Sequence, residues 1–325
     1  MMQSIHNREL VAFHGGNFPI RGTYHRASNE QAGVQKPGRL GVIFLNSLSL
    51  PRTATGDSSA EWADALAECG YPCFRVDLPG LGDSEGDLPA DLLSYINGGG
   101  FAPAASSVAK EITERFDLAG VVLVGHCAGA VSAVLAAAKA SECKGLILMD
   151  VYFHLPQAVR PKFRQYLSNW ALKSAPGRMA SNLYDRLRRL RLRVQANRLP
   201  ENANLPLLRC WKQVASSGQP ILMLKAPARK AIGTKARVGE FDYLQYALKT
   251  AGPQSQVIVK FAEGTDHSFA NRLGRAAVRQ EMGSWLEAFF PAACPAGKGT
   301  VSPISGSPVR ARPSKEVVVM TSSST

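Results

Sequence analysis

The sequence predicts an α/β fold, in which helices cover both faces of a mostly parallel β-sheet. Short apolar segments of strand length alternate with segments of helical periodicity along most of the chain. Residues 118–124 (LAGVVLV) form a continuous apolar run, which is typical of a strand buried on both faces of a parallel sheet. This run leads through a tight, glycine-bounded turn into the alanine-rich segment 131–140, so strand, turn and helix follow one another directly.

The other elements follow in chain order. Residues 8–13 and 20–26, separated by a Gly-Gly-Asn turn, predict an antiparallel pair of strands. The remaining predicted strands are 40–45, 72–78, 144–149, 221–224 and 256–261. The remaining predicted helices are 59–69, 103–116, 241–249 and 276–289.

The pattern divides the chain into four parts. Residues 1–150 predict the first part of the core, and residues 219–290 predict its second part. Between them, residues 151–218 lose the strand rhythm and place Leu183, Leu187, Leu190 and Val194 on one helical face, so we predict an inserted helical cap. Residues 291–325 are rich in Pro, Gly and Ser, which predicts a disordered tail.

Composition limits the classes of function. The chain has 325 residues, of which 45% are hydrophobic and 19% charged, as is typical of a globular protein. It has no apolar run of about 18 residues and no apolar core near its start, so we expect a cytoplasmic protein without a membrane span. Its six cysteines follow no metal-ligand spacing, so we expect reduced thiols and no metal. We also expect no organic cofactor.

The turn after residue 124 has the form G-x-C-x-G, with Cys127 at its centre. A nucleophile at such a strand-to-helix turn lies in strained backbone, and Gly125 and Gly129 relieve the crowding beside it. The start of the following helix would also favour a thiolate. We therefore interpret Cys127 as a candidate nucleophile, the alternative being a packed cysteine at an ordinary strand–helix junction.

A histidine follows the last predicted strand. His267 lies in the loop Glu-Gly-Thr-Asp-His-Ser-Phe, about 140 residues after Cys127. A histidine in this loop and downstream of the nucleophile is where the general base of a nucleophile–acid–histidine triad is found. Taken alone it could be a surface loop residue, but together with Cys127 it predicts a Cys–His catalytic pair.

Several motifs together resemble one family. The segments LNSLSLPRTA, FRVDLPGLGDSEGD, LVGHCAGA, GEFDYLQYAL and EGTDHSF are similar to the α/β-hydrolases associated with exosortase and polysaccharide gene clusters of bacteria, over about residues 8–290. The resemblance implies an α/β-hydrolase core and implies no particular substrate. Most α/β-hydrolases carry serine where this chain has Cys127.

The third member of the triad is left open between two aspartates. Relatives usually have an aspartate in the loop after the strand at 221–224, whereas this chain has a basic insertion there. Asp242 matches an aspartate of the related hydrolases at the head of a helix, although it could simply cap that helix. The alternative acid is Asp150, at the carboxyl end of its strand. A Cys–His pair can also act with little help from a third group.

The oxyanion of an acyl-transfer reaction needs two backbone N–H donors. We expect one from Ala128, directly after the nucleophile, and one from Ser47 or Leu48, in the loop after the strand at 40–45.

The excess of basic residues bears on which partners the protein could bind. The net charge is +13, and Asp185 is the one acidic residue between Arg160 and Arg198, in the predicted cap. Such a segment is either a solvated helical face or a surface that attracts an anionic substrate, coenzyme A or an acyl carrier protein. Nucleic-acid binding is not expected, because no recognition module is evident.

These observations predict an acyl-transfer enzyme that uses a Cys-His(-Asp) site and forms a thioester acyl-enzyme on a small-molecule acyl substrate. Hydrolysis of an ester or a thioester is the leading expectation. Because thioesters also react readily with other nucleophiles, transfer of the acyl group to an amine or alcohol is one alternative. The other is a non-catalytic binding protein with this fold, which the missing loop carboxylate would favour.

Overall fold

One sheet organises the described strands. The computed structural model describes residues 7–16, 18–30, 38–155, 199–227, 241–292 and 317–318. In this part of the chain the strands are β1 (Arg8–His14), β2 (Pro19–His25), β3 (Leu40–Phe44), β4 (Cys73–Val76), β5 (Gly120–His126), β6 (Cys143–Met149), β7 (Pro220–Lys225), β8 (Gln256–Phe261) and β9 (Val317–Val318). Their order across the sheet is β1-β2-β4-β3-β5-β6-β7-β8-β9. Strands β3 to β8 pair in parallel, whereas β1, β2 and β9 pair antiparallel with their neighbours.

Helices lie on both faces of this sheet. The described helices are α1 (Ser58–Glu68), α2 (Leu92–Asn97), α3 (Ala102–Arg115), α4 (Ala128–Ala137), α5 (Leu205–Ser216), α6 (Tyr243–Thr250) and α7 (Arg272–Phe289). One apolar core contains buried side chains of α3, α4 and α5, and a second contains side chains of α1 and α7. The predicted fold class, a mostly parallel sheet between two layers of helices, is confirmed.

The apolar run that predicted a central strand forms β5. Its first six residues are buried, and β3 and β6 flank it in parallel on either side. A strand in this position needs apolar side chains on both faces, which explains why its sequence is continuous rather than alternating. Its carboxyl end delivers Cys127 to the edge of the sheet where β6, β7 and β8 also end.

Helix α5 lies within the range predicted as an inserted cap, but it packs in the core. Its Trp211 is fully buried, contacts the ring of Phe153, and donates a hydrogen bond of 2.8 Å from Nε1 to the carbonyl of Ala247. Asn204 caps its start by accepting a hydrogen bond from the backbone N–H of Leu207. The prediction placed this helix in the cap because periodicity reveals an apolar face without revealing what the face contacts.

Several predicted features lie outside the described residues. These are the arginine-rich cap helix around residues 183–194, most of the basic insertion that reaches Arg237, and the tail apart from 291–292 and 317–318. Among the described helices, none has both the length and the apolar character needed to cross a membrane.

Candidate active site

Cys127 occupies the sharp turn between β5 and α4. Its backbone has φ 53° and ψ −114°, a conformation that non-glycine residues adopt rarely. A Cβ on Gly125 would lie 2.3 Å from the carbonyl oxygen of Gly129, and a Cβ on Gly129 would lie 2.4 Å from the carbonyl oxygen of Asn46. Neither position has room for a side chain, because backbone packs directly against backbone at both glycines. This close packing holds the Cys127 turn in its strained conformation.

His267 lies in the loop between β8 and α7. The Asp266 carboxylate accepts hydrogen bonds from the backbone N–H and the hydroxyl of Ser268, at 3.0 and 2.5 Å, which closes this loop locally. Phe269 anchors the loop beneath, since its ring is fully buried. The Nδ1 atom of His267 lies 2.8 Å from Oδ2 of Asp150, and Cys127 is near enough to the imidazole to raise its pKa.

Asp150 directly follows β6 and joins two neighbouring strands. Its backbone N–H donates to the carbonyl of Leu224 at 2.8 Å, and its Oδ1 accepts from the backbone N–H of Ala226 at 3.1 Å. The same oxygen lies 3.1 Å from Nζ of Lys225. Burial acts to raise the pKa of Asp150, but the hydrogen bond from His267 and the charge of Lys225 outweigh burial, so this pKa lies below its ordinary value.

Asp242, the first candidate for the acid in the sequence analysis, lies at the start of α6 and is not the carboxylate that pairs with His267. It caps the start of α6, where its carboxylate accepts a hydrogen bond of 2.9 Å from the backbone N–H of Gln245. The carboxylate that contacts His267 is Asp150, the alternative candidate. Asp242 matched the pattern of an acid because a helix-capping aspartate and a catalytic one look alike in sequence.

Two contacts hold a proton on His267. The hydrogen bond to Asp150 is the largest cause, followed by the interaction with nearby Cys127, and together they raise the pKa of His267 to about 10 against the opposing effect of burial. The imidazolium form is therefore favoured near neutral pH. Because a cation beside a cysteine favours its thiolate, the arrangement suits a thiolate–imidazolium pair.

The expected oxyanion donors lie on either side of the Cys127 turn. Ala128 is the first residue of α4, and Ser47 is buried in the loop after β3. This loop contacts the turn at the close approach of Asn46 to Gly129. The Asn46 side chain donates to Oδ1 of Asp77 at 2.8 Å and accepts from the N–H of Leu78 at 2.7 Å, so the loop is tied to the one that follows β4.

His126 is a functional candidate that the sequence analysis did not single out. Its Nε2 lies 2.6 Å from the backbone carbonyl of His267, and because a carbonyl only accepts, Nε2 carries the proton. Burial, reinforced by the charge of His267, lowers the pKa of His126 to about 4. A neutral His126 therefore fixes the loop that carries His267, and its place directly before Cys127 was the available signal.

Lys225 and Tyr152 were also not singled out. Lys225 is the last residue of β7, directly before the loop in which the sequence shows a basic insertion and no carboxylate. Tyr152 lies two residues after Asp150, and burial and then the charge of nearby Cys127 raise its pKa to about 12, although Asn97 opposes the shift. Among the described residues its buried hydroxyl has no hydrogen-bond partner within normal distance. A protonated phenol is thus available close to the candidate nucleophile.

A cavity of about 680 Å³ lies at the opposite edge of the sheet. It is lined at the amino ends of the strands by residues that include Arg39, Tyr71, Lys144 and Gln219, and by none of the candidate catalytic residues. The described residues contain no group of three or more His, Cys, Asp or Glu side chains arranged to hold a metal ion.

Comparison with known proteins establishes the family. Residues 42–230 match the family described as alpha/beta hydrolase fold, and the chain belongs to this family. No protein of curated function matches the sequence.

Solved structures share the fold at low sequence identity. The α/β hydrolase GrgF from Penicillium sp. sh18 is 15% identical, with a TM-score of 0.56 over 86% of this chain and 98% of that one. An esterase from Pyrococcus furiosus, PF2001, is 12% identical, with a TM-score of 0.56 over 86% of this chain and 90% of that one. XC6422 from Xanthomonas campestris, described as an α/β serine hydrolase without a lid, is 16% identical, with a TM-score of 0.51 over 89% and 97%.

Proposed function

We propose that the protein is an acyl-transfer enzyme that hydrolyses an ester or a thioester through a thioester acyl-enzyme on Cys127. The observation that carries this proposal is His267, which hydrogen-bonds to Asp150 through Nδ1 and lies near enough to Cys127 for that residue to raise its pKa. The family supports it further, since the Cys127 turn has the geometry of a strand-to-helix nucleophile turn.

In the first half of the reaction the Cys127 thiolate adds to the carbonyl carbon of the substrate, forming a C–S bond. The backbone N–H groups of Ala128 and Ser47 stabilise the negative oxygen. As the tetrahedral intermediate collapses, the bond to the leaving alkoxide or thiolate breaks and the His267 imidazolium donates its proton to that group. Asp150 holds the imidazole with Nδ1 protonated, which leaves Nε2 for this transfer.

In the second half the neutral His267 removes a proton from water, whose oxygen adds to the thioester carbonyl. The intermediate then expels the Cys127 thiolate and releases the carboxylic acid. The site returns to the thiolate–imidazolium pair, so protons and charge balance over the cycle. An amine or alcohol that replaces water would give the transferase reaction, and thioesters react readily with amines.

The charge of the chain supports an anionic substrate or carrier. The sequence has 38 lysine and arginine residues against 25 acidic ones. A carboxylated or phosphorylated acyl donor, coenzyme A or an acyl carrier protein would be attracted to such a surface.

The test is the intact mass of the protein after mixing with short acyl thioesters and activated esters. Wild type should gain one acyl group, and Cys127→Ala should gain none. Cys143→Ala is a matched control, because Cys143 is a buried, free cysteine on β6 and should leave acylation unchanged. Decay of the adduct in water indicates a hydrolase, and decay only with an added amine or alcohol indicates a transferase.

Absence of an adduct across the panel, with Cys127 alkylated no faster than the exposed Cys69, would contradict an acyl-transfer enzyme. It would favour the second candidate, a binding protein with this fold.

A further inference from the structure

We propose that Lys225 is a positioning residue of the candidate active site, whose ammonium group neutralises the Asp150 carboxylate and so limits how strongly this carboxylate holds a proton on His267. The inference rests on the proposed function, and it concerns a residue that acts on the reaction only through Asp150.

The two oxygens of Asp150 have different partners. Oδ2 lies 2.8 Å from Nδ1 of His267, whereas Oδ1 lies 3.1 Å from Nζ of Lys225. Lys225 is held in place from the other side, because its Nζ also donates to the carbonyl of Val151 at 3.1 Å. The lysine therefore has a fixed place at the end of β7 and lies against the side of Asp150 that faces away from the imidazole.

The ion pair is partly shielded from solvent. The side chains of Asp150 and Lys225 are 10% and 21% exposed, so water and salt screen their interaction less than that of a surface pair. Lys225 also affects its other neighbours. Burial is the largest cause that lowers the pKa of His126 and that of His154, and the charge of Lys225 lowers both further.

Four charged groups lie close together around the Asp150–Lys225 ion pair. When the Cys127–His267 pair is a thiolate and an imidazolium, Cys127 and Asp150 are negative and His267 and Lys225 are positive. The net charge of these four groups is then zero. His126, Tyr152 and His154, which also face these groups, are neutral near pH 7. Asp266, one residue before His267, is a further carboxylate outside this set of four, and it accepts hydrogen bonds from Ser268. Removing the Lys225 charge would change the sum of these four groups from zero to −1.

Loss of the Lys225 charge would affect the second half of the reaction, in which neutral His267 activates water. An uncompensated Asp150 would hold the proton on His267 more tightly. It would then take a higher pH to produce the neutral imidazole that activates water in the second half. Lys225 thus lowers the pH at which the acyl-enzyme is hydrolysed.

The charge of Lys225 can be removed without freeing Asp150. Two backbone contacts remain on that residue, the N–H of Ala226 to Oδ1 at 3.1 Å and the Asp150 N–H to Leu224 at 2.8 Å. A role in neutralising Asp150 and a role in merely holding it therefore predict opposite results. Loss of the charge raises the pH at which His267 titrates, whereas loss of the Asp150–His267 hydrogen bond lowers it.

The first measurement is the ring titration of His267 by NMR in a Cys127→Ala background, which requires no activity. Lys225→Met and Lys225→Gln should each raise the titration midpoint by about one pH unit, the lower end of the effect of one nearby charge, because the pair is partly exposed. Lys225→Arg should restore the midpoint to within about 0.3 units, since it keeps the charge.

The matched control is Lys144→Met. Lys144 is also on a strand of the sheet, and its Nζ also donates to a backbone carbonyl, that of Ser141 at 2.9 Å. It lies at the opposite edge of the sheet, so the midpoint of His267 should not change. Thermal unfolding of each variant verifies that it is folded, and the Gln variant provides the answer if the Met variant is unstable.

The second measurement is the pH profile of acyl-enzyme decay in the Cys127 protein, where the midpoint should move in the same direction. If the His267 midpoint is unchanged or falls in the Met and Gln variants, the charge role of Lys225 is wrong, whatever the enzyme does. If wild type forms no acyl-enzyme but the midpoint rises, the effect on His267 stands and the proposed function fails.

Discussion

Replacing Asp150 with Asn tests the assignment of the acid most directly. The substitution keeps the shape of the side chain but removes the negative charge that faces His267 at 2.8 Å. Hydrogen bonds to charged groups contribute about 1.5–3 kcal/mol, and the 60% exposure of the His267 side chain places this one in the lower half of that range. A loss of about 2 kcal/mol corresponds to a rate about 30-fold lower.

The assay is the rate at which iodoacetamide alkylates Cys127 at pH 7, read by intact mass, together with the rate of acylation by an activated ester. Alkylation requires no knowledge of the substrate, so the result does not depend on finding one. We expect both rates to fall about 30-fold in Asp150→Asn.

Asp242→Asn is the matched control, because asparagine caps a helix about as well as aspartate. Both rates should stay within about twofold of wild type, since Asp242 holds the start of α6. The reverse result, with Asp150→Asn reacting normally and Asp242→Asn impaired more than about tenfold, would refute our reasoning and return the role to Asp242.

Two further predictions concern stability. Gly129→Ala should lower the free energy of unfolding by about 2 kcal/mol or more, since the new Cβ would lie 2.4 Å from the Asn46 carbonyl oxygen. Gly283→Ala is the control, because Gly283 lies on α7 with open space around it, and this substitution should raise the free energy of unfolding by up to about 1 kcal/mol. Chemical denaturation compares the two, and equal effects would contradict the packing argument. For His126, the pKa falls from 6.5 to about 4 on folding, so its contribution to stability is complete above pH 6.5 and is lost as the pH falls toward 4. The melting temperature of His126→Asn should therefore depend less steeply on pH over that window than that of wild type, and parallel curves would rule this out.

Much of the fold could be predicted because its determinants are local. The continuous apolar run of β5 and the glycines at 125 and 129 each report a constraint that acts within a few residues. The same is true of the His267 loop, whose place after the last predicted strand follows from chain order alone. The catalytic roles of Cys127 and His267 stay predictions, which the mass experiment tests.

The acid could not be chosen from the sequence, because the choice depends on a contact between residues far apart. Asp150 and His267 are 117 residues apart, and no spacing rule connects them. Asp242 has a local reason to be aspartate, since it caps α6, and this reason produced the same pattern as a catalytic role. A similar ambiguity placed α5 in the cap, because the partner of its apolar face, α4, is distant in sequence.

The role of Lys225, the last residue of β7, depends on which strand lies beside it in the sheet. Strands β6 and β7 run in parallel with Met149 opposite Leu224, so the next residues along, Asp150 and Lys225, come together at the same edge. A carboxylate at the end of β6 reaches the His267 loop, which makes one at the end of β7 unnecessary. A second carboxylate there would repel Asp150, whereas a lysine offsets its charge. An active site whose acid is Asp150 does not need a carboxylate in the loop after β7, which weakens the case for lost catalysis that the missing loop carboxylate alone suggested.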